Sequence, residues 1–189
     1  LATKLYVPQP RSKRVLRSNL IERLNHGRHR KLTLISAPAG FGKTSLLSEW
    51  IDQNEFQTAW ISLDEGDGEP VHFLSYLISA LQKINPDLGS SVYAILQAPQ
   101  PPPIKTLMTS LINDITTLSG ESILVLDDYH LVDVPAIHEI LSFLIDHLPP
   151  QLHLVITTRA DPSLPIARLR GMDQLSEFRA SDLSFSIEG

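Results

Sequence analysis

The chain contains no cysteine, which removes disulfide frameworks, thiolate metal sites and cysteine nucleophiles together. That absence fits a reducing compartment, and a cytoplasmic location is the expectation. No run approaches the roughly 18 apolar residues that a membrane span needs, and no signal-peptide pattern opens the sequence, so no membrane role is expected. Aromatic residues make up only 6%. What is present is ordinary globular usage: 189 residues, 42% hydrophobic and 20% charged, enough for one sizeable core or two very small ones.

The net charge of −5 hides an asymmetry. Residues 1–31 carry nine Lys/Arg against Glu22 alone, a charge of +8, and the remainder carries −13. A basic arm on an acidic body points either to an anionic partner near the arm or to docking of the arm on the body. Nucleic acid is one such partner, although Tyr6 is the only aromatic residue of the arm and offers little for base stacking.

Hydrophobic periodicity divides the chain. It begins extended through Pro8 and Pro10, and a short helical pattern runs over Leu16, Leu20, Ile21 and Leu24 to a stop at Gly27. Strands are expected at 32–37, 58–63, 122–126, 152–157 and, more weakly, 174–179. Helices are expected at 43–54, from Pro70 to Ile84, at 104–118, and from Pro135 to Leu148. Strands apolar on both faces and separated by helices argue for a parallel α/β sheet covered on both sides.

The first strand runs into Ala37, Pro38, Ala39, Gly40, Phe41, Gly42, Lys43 and Thr44, and a helix follows. This is a phosphate-binding loop of the G-x-x-x-x-G-K-[ST] type, with Ala37 in the first glycine position. Glycines let successive backbone N–H groups turn on an anion, and the helix N-terminus adds positive potential. Lys43 is expected to reach the terminal phosphates, Thr44 to ligate Mg²⁺, and Ser45 to bond an inner phosphate. Gly40 and Gly42 are where a side chain would most obstruct the loop.

Further on, Ile123-Leu-Val-Leu-Asp127-Asp128 is an apolar strand ending in two carboxylates. Asp127 would hold Mg²⁺ through its waters and Asp128 would orient, or deprotonate, a water attacking the γ-phosphate. The alternative is a strand cap that begins a turn. A third strand ends in Thr157-Thr158-Arg159. If it lies between the other two, Arg159 can sense the γ-phosphate and share its charge, with Thr157 and Thr158 offering hydroxyls to the water or to Asp128. The alternative for Arg159 is an ordinary surface arginine on a loop.

Loop, acidic pair and Thr-Thr-Arg in this order resemble the NTPase domain of the MalT-like, ATP-dependent LuxR-class regulators, which belong to the STAND group of signal-transduction P-loop ATPases. Arg17-Ser-Asn-Leu-Ile-Glu-Arg-Leu24, Ala59-Trp-Ile-Ser-Leu-Asp64, Asp127-Asp-Tyr-His130 and Leu164-Pro-Ile-Ala-Arg-Leu-Arg170 extend the likeness over nearly the whole chain. The resemblance implies a three-layer α/β/α fold with a five-stranded parallel sheet in the order 5-1-4-3-2. It also implies that the segment before the first strand wraps the adenine, which makes Val15, Leu16 and Arg17 candidates. Asp64 and His130 match family positions, but local capping explains them equally well, and neither is assigned to catalysis.

The resemblance thus implies ATP/ADP and Mg²⁺ as cofactors, with Lys43, Asp128 and Arg159 catalytic. Residues 1–31 form the arm and adenine-side helix, and 32–189 the core. A full regulator adds a winged helix, a repeat sensor and a helix-turn-helix; these are expected to be absent here, and inducer and DNA contacts to lie on them. A slowly hydrolysing molecular switch is expected, with nucleotide-dependent self-association of the full-length protein. The other readings are nucleic-acid binding through the arm, a P-loop enzyme with another phosphoryl acceptor, and a STAND ATPase with a defence output.

Overall fold

The computed structural model describes residues 1–10 and 17–184. Five strands, β1 (Leu32–Ser36), β2 (Gln57–Ser62), β3 (Ser122–Asp127), β4 (Leu152–Thr158) and β5 (Leu175–Arg179), form one sheet in the order β2-β3-β4-β1-β5. Every pairing is parallel, so all the strands end at one edge of the sheet. Read from the other side, this is the 5-1-4-3-2 order that the resemblance implies. The Thr-Thr-Arg strand β4 therefore lies between the loop strand β1 and the acidic strand β3.

The strands β1, β3 and β4 are buried throughout because helices cover both faces. Alternation sorts their side chains between two cores. Leu34, Ala59, Leu124 and Leu154 face α3 (Pro70–Leu81), α5 (Ile104–Ile115) and α6 (Pro135–Asp146). On the other face, Ile35, Trp60, Val125, Val155 and Phe178 meet α1 (Ser18–His26), α2 (Lys43–Asn54) and α8 (Ala180–Ser184). Trp50 of α2 is fully buried, and its indole N–H donates to Asn25 at the end of α1 at 2.8 Å.

Local signals set most boundaries. Pro70 opens α3 while the Glu69 carboxylate accepts from the N–H groups of Val71 and His72. The helical pattern of that segment extends to Ile84, but α3 stops at Leu81 and the chain continues in tight turns. Three short helices escape the periodicity: α4 (Ser90–Leu96), α7 (Ile166–Gly171) and α8. None is longer than 7 residues, too few for a 3.6-residue repeat to register.

The start of the chain departs from the extended reading. Ala2–Leu5 is a turn of 3-10 helix, turned so that the Lys4 ammonium reaches Asp64, at 2.9 Å, and Asp67. Asp67 is 1% exposed and also accepts from the Asp64 N–H and from His72 Nε2. Burial opposes the charge of Lys4, but its hydrogen bonds to the two carboxylates raise its pKa.

The other described cations of the arm also find acceptors on the body. Arg23 pairs with Asp182, Arg28 with Glu121 and Arg30 with Asp173, while Lys31 donates to the carbonyls of Ile145 and Asp146 at the C-terminal end of α6. Arg17 donates to the Gly42 carbonyl. The docking alternative accounts for all of these; Arg11, Lys13 and Arg14 lie outside the described residues.

One buried base makes the fold sensitive to pH. His153, on β4, donates from Nδ1 to the Arg30 carbonyl (2.6 Å) and accepts at Nε2 from the Thr33 hydroxyl (2.7 Å). Burial pushes its pKa down to about 4, with Arg28 and His29 acting in the same sense. An unfolded histidine, with a pKa of about 6.5, takes up a proton that the folded ring refuses. The stability due to this group is therefore complete above pH ~6.5 and is lost as pH falls towards about 4, by about 3 kcal/mol. Urea unfolding across that window should show the decline, and His153→Gln should flatten it; equal slopes in the two proteins would contradict the assignment.

Candidate functional site

The connection from β1 to α2 leaves the sheet at the edge where β3 and β4 also end. Gly40 (φ 87°) and Gly42 (φ 73°) adopt left-handed conformations that suit glycine. Around Gly40 there is open space, so only its backbone requires glycine. At Gly42 a Cβ would also stand 2.3 Å from Arg17 Nη2. The obstruction expected at both positions is thus conformational at both, with the Arg17 guanidinium as an added neighbour at Gly42.

Lys43 is 7% exposed and its ammonium donates to the carbonyls of Ala37 (2.6 Å) and Pro38 (3.0 Å). Two of its three N–H bonds are used, and the third remains for a phosphate. Burial lowers its pKa, the charge of Arg159 adds to this, and the charges of Asp128 and Asp127 oppose it. Phe41 packs against the core shared by α1 and α2, anchoring the tip of the loop.

Ala39, Gly40, Gly42, Lys43, Thr44, Ser45, Asp128 and Arg159 line one concavity of about 290 Å³. Its backbone and charges suit an anion. A second cleft, of about 130 Å³, is lined mainly by apolar groups such as Ile104, Met108 and Phe143 and has no phosphate-binding loop.

Asp127 lies beneath the concavity and is 5% exposed. Thr44 Oγ1 is 3.0 Å from each of its carboxylate oxygens, and Thr157 Oγ1 donates to Oδ1 at 2.6 Å. Burial raises the pKa of Asp127 and the charge of Asp128 acts the same way, against the two hydroxyls. A buried carboxylate with a hydroxyl at 3.0 Å is a pair of hard oxygen donors, and its charge is only partly balanced by Lys43. This donor set fits Mg²⁺, which takes few protein ligands and keeps most of its water.

The hydroxyl of Thr157 is placed differently from the expectation. Its single proton goes to Asp127, and its oxygen accepts from the backbone N–H of Asp128 at 2.9 Å. It is therefore not offered to a water or to the Asp128 carboxylate. Thr158 donates to the Ala160 carbonyl instead, shaping the turn after β4.

Arg17 is set against the backbone of the loop and does not line the concavity. Val15 and Leu16 lie outside the described residues. Asp64 caps Gly66 and pairs with Lys4, a local role. Burial lowers the pKa of His130, with Arg159 and Lys43 acting in the same sense against Asp128; the ring sits on the turn after Asp128.

The sequence did not single out Asp133 and Asp161. Asp133 accepts from the Ser163 N–H, and Asp161 pairs with Arg179, so both hold the loop that follows Arg159. Their only sequence signal is an acidic residue beside a turn, which is too common to select them.

The partly balanced charge on Asp127 gives a test. Asp127→Asn should leave the thermal midpoint without nucleotide equal to or above that of the unchanged chain, because a buried charge is removed. The same variant should lose the extra stabilisation that Mg²⁺ adds in the presence of nucleotide. A lower midpoint together with intact Mg²⁺ dependence would remove Asp127 from the metal site.

Comparison with known proteins agrees with this geometry. The family model of the AAA domain matches residues 23–164. The HTH-type transcriptional regulator MalT of Cronobacter sakazakii is 37% identical over 186 residues, which are 98% of this chain and 20% of that protein. MalT of Yersinia pestis is 38% identical over 187 residues, with the same shares. The chain thus spans about a fifth of the length of these relatives.

Among solved structures, a STAND protein with a tetratricopeptide repeat sensor from Pyrococcus horikoshii superposes with a TM-score of 0.60 at 16% identity, over 92% of this chain and 24% of that one. Cdc6p of Pyrobaculum aerophilum gives 0.56 at 19% identity, over 92% and 47%. At such identities the likeness speaks for the fold alone. This chain belongs to the AAA family of P-loop domains, and within it is similar to the P-loop domain of MalT.

Proposed function

We propose that this domain binds ATP with Mg²⁺ and hydrolyses it slowly, as the nucleotide switch of a MalT-like signal-transduction ATPase of the cytoplasm. One observation carries the reading: Lys43, Thr44, Asp128 and Arg159 converge on a single concavity, with Asp127 directly below it. Ser45 and the backbone of Ala39, Gly40 and Gly42 complete the phosphate cradle, and Arg17 backs the loop through the Gly42 carbonyl.

In hydrolysis a water oxygen forms a bond to the γ-phosphorus as the bond to the β–γ bridging oxygen breaks. ADP leaves with that electron pair, and the water's proton passes through Asp128 to solvent or phosphate. Lys43 and Arg159 stabilise the charge spread over the transferring group. Thr44 and Asp127, the latter through water, would hold Mg²⁺, which would supply neutralisation of the developing phosphate charge. Asp128 orients the water, and the loop backbone fixes the in-line approach.

A switch also needs contacts that differ between its ATP and ADP states. The chain spans only about a fifth of its relatives' length, so we assign most of those contacts, with inducer, DNA and self-association, to the longer protein. What supports a transcriptional output over a defence one is the identity of about 37% to MalT.

Lys43→Ala should reduce nucleotide affinity by about two orders of magnitude in calorimetry, because it removes the one lysine that lines the cradle among the described residues. Asp128→Asn should bind nucleotide as before and lose roughly 100-fold in turnover, the usual contribution of a general base. Hydrolysis at full rate by Asp128→Asn would overturn the mechanism, and unchanged affinity in Lys43→Ala would overturn the loop assignment.

A further inference from the structure

We propose that Thr157 is a positioning residue whose one hydroxyl couples the metal-side carboxylate of Asp127 to the attack-side residue Asp128. This rests on the ATPase reading above. The observation behind it is a short relay with no slack. Thr157 is fully buried on β4, its proton is committed to Asp127 Oδ1 at 2.6 Å, and its oxygen holds the Asp128 N–H at 2.9 Å.

Asp128 makes this relay consequential. It adopts a left-handed backbone conformation (φ 63°, ψ 45°), which is uncommon in residues other than glycine, although Asp is among those that adopt it most readily. The bond from the Asp128 N–H to Thr157 is a side-chain restraint on that peptide, and through it the direction in which the Asp128 carboxylate leaves the strand is set.

Asp127 is the other end. Thr44 and Thr157 both direct hydroxyls at it, one from the start of α2 and one from β4. The hydroxyl from α2 belongs to the phosphate-binding loop and serves the cation. The hydroxyl from β4 has no such duty, since burial keeps it from solvent and its proton is already placed. Its role is to fix one carboxylate while holding the backbone of the next residue. Two residues further along, the same strand delivers Arg159 to the concavity. One hydroxyl thus registers the metal side, the water side and the sensor strand against each other.

The test separates the hydroxyl from the methyl group beside it. Thr157→Val keeps size and shape and removes the hydroxyl; Thr157→Ser does the reverse. We expect Thr157→Val to lower kcat and to raise the Mg²⁺ concentration that half-saturates nucleotide binding, each by roughly tenfold or more. ADP affinity measured by calorimetry in EDTA should stay within about twofold, since the loop itself is untouched. Thr157→Ser should restore both quantities, which a packing role would not produce. If Thr157→Val does not fold, Thr157→Cys, of similar size and with a weak S–H donor, takes its place.

Wild-type kcat and Mg²⁺ half-saturation in Thr157→Val would overturn the proposal, as would a Thr157→Ser variant that is as impaired as Thr157→Val. A parent chain that binds Mg²⁺–nucleotide without turnover would instead overturn the hydrolytic reading. The shift in Mg²⁺ half-saturation would then still decide for or against Thr157.

Discussion

The structure turns on one buried carboxylate. Asp127 ends the strand β3, is almost wholly removed from water, and draws hydroxyls from Thr44 at the start of α2 and Thr157 on β4. A carboxylate in that position is costly unless it is bonded and balanced. The elements around it supply the bonds, and Lys43 supplies part of the balance. Because Thr44 belongs to α2 and Thr157 to β4, meeting the needs of one side chain registers the loop, β3 and β4 together.

The sheet order makes this meeting geometrically available. With β4 between β1 and β3, the ends of all three strands fall within side-chain reach of one another at a single edge. Parallel pairing sends every chain direction the same way, so the residues that follow each strand collect there. The helices α1 and α2 close one face, and Arg17, just before α1, reaches the loop backbone from outside. The loop after Arg159 is held by Asp133, which accepts from the Ser163 N–H, and by Asp161, which pairs with Arg179.

The basic arm takes on a different meaning in three dimensions. Its charge left open an anionic partner or docking on the body, and Lys4, Arg23, Arg28 and Arg30 each meet a carboxylate of the same chain, as docking requires. Most of these pairs are exposed and contribute little individually. Lys4 differs because Asp67 is buried, so losing the cation would leave a carboxylate short of charge balance. The arm is thus fastened firmly at its start and more loosely along α1.

The loop and its helix were readable from the sequence because their residues are contiguous and their spacing is dictated by the anion they surround. Strands were readable because both faces are apolar. Helices of five to seven residues were not, since so short a stretch carries no period. The strand order came from resemblance, as spacing along a chain says nothing about lateral neighbours. The role of Thr157 needed coordinates altogether. Its type announces a hydroxyl, but which of Asp127, Asp128 or a water receives the proton depends on distances between strands that are about 30 residues apart in the chain. Sequence alone determined which chemical groups this protein owns; tertiary structure decided which of them share a hydrogen bond, because that choice is made across the sheet rather than along the chain.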